Sequence, residues 1–202
     1  MIKNIIFDIG NVLVDFCWEE DFHNKGLEGE VFERVADATA RNADWNEFDL
    51  GFLTHEEIIE KFIENDPELE NEIRLATTDL SGIVREKPYA KELILRLKNK
   101  GYGVYILSNF SIMALTACEK ELQFIPLADG AILSYEHHVI KPDPEIYNIL
   151  LNRYSLNATE CVFLDDKREN IEGGEACGIR GIVFDEPESA FYKLKCMGVD
   201  ID

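Results

Sequence analysis

From residue 88 onward the chain alternates between two textures, and that alternation leaves few folds open. Short apolar runs rich in β-branched residues, YGVYILSN (102–109), GAILSY (130–135), ECVFLDD (160–166) and RGIVFD (180–185), are separated by segments with helical spacing. PYAKELILRLKNKG is punctuated at both ends. Pro88 suits a first turn, Tyr89, Leu93 and Leu97 form an apolar stripe, and Gly101 stops the helix. SIMALTACEKEL and RENIEGGEACG read as further helices, and Asp143 followed by Pro144 marks the start of another. Strands joined by helical crossovers of roughly a dozen residues build right-handed βαβ units. The expected class is therefore α/β with a parallel sheet.

The opening stretch KNIIFDIGNVLVDF adds one more strand, over residues 2–8, ending at a Gly turn. Residues 17–83 differ. EVFERVADATARN and THEEIIEKFIEN alternate acidic and apolar residues at helical spacing, Thr54 and Glu57 fit a capping box, and NDPELENEIRLATTDL is a further helix with Pro67 near its start. This stretch carries no strand pattern. The reading is a small α-helical unit at 17–83 inserted into a core made of residues 1–16 and 84–202.

In a parallel sheet the carboxyl ends of the strands share one edge, and ligands bind there. The first strand ends IIFDIG, the second YILSN and the fourth VFLDD, while Lys141 opens KPDPE after the third. Topology thus gathers Asp8, Ser108, Asn109, Lys141, Asp165 and Asp166. Each alone reads as a turn or a cap, but their joint occurrence at successive strand ends points to a site. Clustered carboxylates are costly unless a cation neutralises them. Mg²⁺ takes oxygen ligands and keeps several waters, so Asp8, Asp166 and a backbone carbonyl just beyond Asp8 are expected ligands, with Asp165 completing the acidic pair. Asp8 is then the expected nucleophile on phosphorus, forming an acyl phosphate that water hydrolyses. Lys141, the Ser108 hydroxyl and the backbone N–H groups after it would hold the phosphoryl oxygens.

A formal net charge of −20 repels nucleic acid and anionic lipid, so neither is an expected partner. The expected partner is a small phosphorylated molecule, drawn in by positive charge concentrated at one point. The five cysteines are odd in number, widely spaced and without a C-x-x-C pair, which suits reduced thiols in the cytoplasm rather than disulfides or structural zinc. Lys3 and Asp8 interrupt any signal-peptide core, and no apolar run is long enough to span a membrane. A monomer or small homo-oligomer is expected.

FDIGNVLVD, LSN, KPDPEIY and FLDDKRENIEGGEACG together resemble the four motifs of the haloacid dehalogenase-like hydrolase superfamily. The resemblance is to bacterial members with D-x-G-N-V in the first motif, among them sugar-phosphate phosphatases including one acting on α-D-glucose 1-phosphate. It implies a Rossmann-like three-layer core with a helical cap at 17–83. It also implies Asp8 as nucleophile, the Gly10 backbone carbonyl as a metal ligand, Asp165 and Asp166 as the acidic motif with Asp166 the surer ligand, and Lys141 as the motif-three lysine. Ser108, Asn109 and Asn11 become candidate phosphate contacts.

One departure stands out. Phosphatases of this superfamily usually carry a second Asp two residues after the nucleophile, to protonate the leaving oxygen and later activate water; here that position is Gly10. Losing a general acid costs typically ~10²–10⁴-fold. Two explanations stay open. The substrate has an already good leaving group, such as a sugar 1-phosphate, or a cap carboxylate in NEFDLGFLTHEE, Glu47 or Asp49, takes the role. Two other functions are also open. A 2-haloacid dehalogenase would use Asp8 on carbon and need an arginine for halide, for which Arg34 and Arg41 are available, although paired Asp165 and Asp166 suit a metal better. A non-catalytic phosphate-binding module is the third. Asp15, Asn170 and Gly173 read as turn or packing residues, Trp18 and Trp45 as core residues at the cap–core cleft, and His137 and His138 carry no assignment.

Overall fold

The computed structural model describes residues 1–201. The core strands are β1 (Asn4–Phe7), β4 (Gly103–Ser108), β5 (Gly130–Leu133), β6 (Cys161–Asp165) and β7 (Arg180–Val183). They form one sheet in the order β5-β4-β1-β6-β7, and every pairing is parallel. Helices α6 (Ala90–Asn99), α7 (Ile112–Ala117), α8 (Pro144–Arg153) and α9 (Arg168–Ala176) make the crossovers, and α10 (Pro187–Cys196) follows the last strand.

The strands read as continuous apolar runs because both faces of the sheet are covered. Alternate residues go to opposite sides. Ile5, Phe7, Val104, Ile106, Val162 and Leu164 join one apolar cluster with Leu93, Leu97 and Leu194. Ile6, Leu107 and Phe163 join another with Ile146, Tyr147, Leu150 and Ile171. The result is three layers, helix on sheet on helix. A fully buried ring such as Phe163 stabilises the middle layer enough that truncation to Ala would cost about 3–5 kcal/mol.

The predicted punctuation is largely realised. Asp143 caps α8 by accepting from the Glu145 N–H at 2.8 Å. Two features went unpredicted. Residues 187–196 form α10, and two three-residue strands, β2 (Val14–Phe16) and β3 (Val84–Glu86), pair antiparallel with Phe16 opposite Val84. Also, α7 ends at Ala117, earlier than the spacing of 111–122 predicted.

Between β2 and β3 lie α1 (Trp18–Asn24), α2 (Gly29–Ala38), α3 (Asn46–Leu50), α4 (His55–Asn65) and α5 (Glu70–Thr77). Thr54 and Glu57 make the capping box of α4. These helices pack on their own apolar faces, with Phe22, Val35, Phe48, Ile58, Phe62 and Ile73 all nearly inaccessible. Lys25 ties the end of this stretch to its start: its ammonium pairs with Asp21 at 2.6 Å and donates to the carbonyls of Ala76 and Asp79 at 2.9 and 2.5 Å. Among the described residues, no helix is long and apolar enough to cross a membrane.

Candidate active site

Asp8 directly follows β1, and its N–H bonds the Leu164 carbonyl of β6 at 2.9 Å, so the sheet fixes its backbone. Its carboxylate meets the Lys141 ammonium, with Nζ 2.8 Å from Oδ1, and the same Nζ lies 2.6 Å from Asp165 Oδ2 and donates to the Leu107 carbonyl at 3.0 Å. All three side chains are buried, Lys141 at 3% and Asp165 at 0% exposure. The Lys141–Asp8 approach is an ion pair without hydrogen-bond alignment, which leaves Asp8 Oδ1 without a hydrogen-bond partner. Burial pushes the Asp8 carboxyl up to about 6. Lys141 opposes that rise, the Asp165 charge adds to it, and the Ser108 hydroxyl opposes it weakly. Burial alone would lower Lys141, but the flanking carboxylates outweigh it and hold the ammonium above its ordinary value.

The two acids after β6 have different surroundings. Asp165 accepts from the Lys167 N–H at 2.8 Å and from Asn170 Nδ2 at 3.0 and 3.1 Å, besides holding Lys141. Asp166 is half-buried, and its Oδ2 takes one bond, from Asn11 Nδ2 at 2.9 Å. One oxygen each of Asp8, Asp165 and Asp166 lies within 4.8 Å of the others. The Asp8 carboxylate, which meets a charged partner only through Oδ1, and the lightly engaged Asp166 carboxylate fit a hard divalent cation, while Asp165 is already occupied with lysine and amide donors.

Two expected phosphate contacts are engaged otherwise. Asn109 clamps the Lys141 backbone from both sides, accepting its N–H at 2.7 Å and donating to its carbonyl at 3.1 Å. That amide positions the lysine through its oxygen and one Nδ2 hydrogen, and its second Nδ2 hydrogen stays available where Asn109 lines the cavity. Asn11, in the left-handed region at φ 54°, joins Asp166 to the Phe16 N–H of β2. Ser108 is buried beside Asp8. Gly10 lines the cavity, and a Cβ placed there would meet nothing within 4 Å.

A cavity of about 150 Å³ opens over this edge. Asp8, Gly10, Lys141 and Asp166 line one part, and Phe16, Trp45, Phe48, Leu80, Ile83 and Phe110 make much of the rest. Asp49 of α3 and Lys167 also line it. Glu47 does not, because it turns to Lys61 at 3.0 Å. Neither Arg34 nor Arg41 lines the cavity. Arg34 grips Asp66 and Glu68, and Arg41 binds Glu33 and sits over the Trp18 ring. Trp18 packs on Phe22 and Phe32 away from the cavity, whereas Trp45 forms part of its wall. Lys167 and Asn170 were not singled out for the site. Their signal was adjacency to the paired acids, because a turn after a buried strand folds the following N–H groups and amides back onto it.

A parallel three-layer core with a buried Asp after its central strand, and a lysine and paired acids on the same edge, is the arrangement of a hydrolase class. Residues 2–178 match the family model of haloacid dehalogenase-like hydrolases, and the chain belongs to that family. A D-ribitol-5-phosphate phosphatase of Bacteroides thetaiotaomicron is 30% identical over 88% of this chain and 89% of its own length. The mouse acyl-CoA dehydrogenase family member 10 is 29% identical over 96% of this chain, which spans only 19% of that longer protein. A HAD family enzyme from B. thetaiotaomicron, solved in complex with magnesium and inorganic phosphate, superposes at a TM-score of 0.68 with 22% identity, covering 95% of this chain and 100% of the other.

Proposed function

We propose that the protein is a Mg²⁺-dependent phosphatase that hydrolyses a small phosphate monoester through an aspartyl-phosphate on Asp8. The observation that carries this reading is the Lys141 ammonium held between Asp8 and Asp165, with Asp166 beside them, at the edge of a cavity. At neutral pH an Asp8 carboxyl near 6 is mostly ionised and so nucleophilic. The strand bond to Leu164 holds it in place, and Lys141 can donate to a phosphoryl oxygen without leaving Asp165. Asp8, Asp166 and the Gly10 carbonyl would hold Mg²⁺, which when bound supplies positive charge against phosphate repulsion.

The helical segment between β2 and β3 serves as the cap that shapes the substrate end, through Trp45, Phe48 and Asp49. A cavity near 150 Å³ takes a group on the scale of a benzene ring. Sugar phosphates, including sugar 1-phosphates, are the first compounds to screen, with aryl and alkyl phosphates alongside because the walls are largely apolar. The dehalogenase reading is disfavoured by the placement of Arg34 and Arg41, since among the described residues no arginine lines the cavity. The test is p-nitrophenyl phosphate turnover with and without Mg²⁺, against Asp8→Asn. Metal-dependent release lost in the variant supports the reading. Metal-free chloride release from chloroacetate refutes it in favour of a dehalogenase, and no turnover of either compound in favour of a binding module.

A further inference from the structure

The acid missing at position 10 has a counterpart in the helical segment. Asp49 sits near the end of α3, which stops at Gly51 in the left-handed conformation, φ 68°. That turn is pressed against the core: a Cβ on Gly51 would lie 2.9 Å from both Cβ and the carbonyl oxygen of Tyr135. Two successive carbonyls are gripped there by core side chains that follow β5. The Ser134 hydroxyl donates to Asp49 O at 2.6 Å, and His138 Nδ1–H donates to Leu50 O at 2.8 Å. The backbone of Asp49 is thus pinned from the core side, and Asp49 lines the cavity that holds Asp8, Gly10 and Lys141.

Among the described residues, no hydrogen bond or ion pair engages that carboxylate. Asp49 is half-buried, and its carboxylate lies within electrostatic reach of Lys167, Asp8 and Lys141 without being committed to any of them. Glu47, the other acid of the segment, is tied to Lys61. The charged groups facing Asp49 are Lys167 of the post-β6 turn, Asp8 and Lys141. Burial pushes its carboxyl up to about 7, against Lys167 and Lys141 and with Asp8.

Building on the phosphatase reading, we propose that Asp49 is the acid–base group of this site. In the first half-reaction a bond forms between an Asp8 oxygen and phosphorus, the phosphorus–ester oxygen bond breaks, and Asp49 gives its proton to the departing alcohol oxygen. In the second, water adds to phosphorus, the Asp8–phosphorus bond breaks, and the water proton returns to Asp49 as phosphate leaves. Protons and charge balance over the cycle. The reaction thus needs no carboxylate at Gly10, and plain alkyl esters fall within reach of the enzyme.

The experiment is the leaving-group dependence of kcat/KM with Mg²⁺ present, across p-nitrophenyl phosphate, phenyl phosphate and glycerol 3-phosphate. In Asp49→Asn the alkyl ester falls by about 100-fold or more while p-nitrophenyl phosphate falls by less than about 10-fold, and the basic limb of the pH profile disappears. The ratio is read within one preparation, so partial misfolding cannot produce it. In the Asp49→Asn/Gly10→Asp double variant the alkyl ester recovers, since position 10 has space for the side chain. In the single Gly10→Asp variant the leaving-group slope stays that of the wild type, whatever the overall rate. An equal loss for all three esters in Asp49→Asn, or a slope that flattens in Gly10→Asp alone, overturns the role of Asp49 while leaving the phosphatase reading intact. Failure of the wild type to release phosphate from any of them overturns both.

Discussion

Replacing Lys141 by Met leaves the buried edge of the sheet with its acids and no cation. Lys141 is 3% exposed, and its ammonium lies 2.8 Å from Asp8 and 2.6 Å from Asp165. Removing one partner from a buried, hydrogen-bonded charge cluster costs about 3–5 kcal/mol, because the remaining charges stay desolvated. Two stranded carboxylates put this site at the upper end. For a chain of this size, about 5 kcal/mol is a fall in Tm of about 10–20 °C. The loss should depend on pH with a definite sign. Asp8 already has its folded-state carboxyl raised to about 6, and without Lys141 it rises further. A carboxyl raised on folding stabilises less as pH climbs through that value. The Lys141→Met penalty is therefore larger at pH 8 than at pH 5. Urea unfolding of both proteins in EDTA at the two pH values measures it, and adding Asp165→Asn to the variant should restore part of the loss at pH 8. A penalty below about 1 kcal/mol, or one equal at both pH values, would show that the three charges are not energetically coupled.

Three other outcomes are expected. Millimolar Mg²⁺ at 100 times its Kd should stabilise the wild type by about 2.7 kcal/mol in thermal unfolding, and Asp166→Ala should abolish the shift. Ser134→Ala strips a buried hydroxyl that both accepts from the Phe110 N–H at 3.0 Å and donates to Asp49 O, and should cost about 1–3 kcal/mol in chemical denaturation. Thr54→Ala removes the capping-box hydroxyl of α4 and should cost about 1 kcal/mol by the same measurement.

The site was legible because each strand carries its own ending. Runs of buried apolar residues stopping at Asp8, at Ser108 and at Asp165 are visible without any contact map, and parallel pairing does the gathering. What the side chains do with their donors was not legible. Asn109 and Asn11 both line the cavity, but their amide oxygens close onto neighbouring chain, at Lys141 and at Phe16, which the sequence does not reveal. Nothing in an Asp-Asp pair says that the first acid is saturated by a lysine and an asparagine while the second is nearly open. Likewise β2 and β3 are three residues each, too short for a period of two to show, and their pairing spans the whole helical segment. The choice between Glu47 and Asp49 needed the position of Lys61.

Because Phe16 and Val84 face each other as antiparallel partners, the helical segment leaves and rejoins the core at points only about 4.5–5.5 Å apart. Such a junction works as a socket. A peptide whose two ends meet at that spacing fits the junction without disturbing β1, β4 or β6, and to serve the proposed chemistry it must also bring a carboxylate to the place of Asp49, where Ser134 and His138 hold the turn. Grafting a relative's segment between residues 17 and 83 is accordingly a direct route to a new substrate range on an unchanged nucleophile.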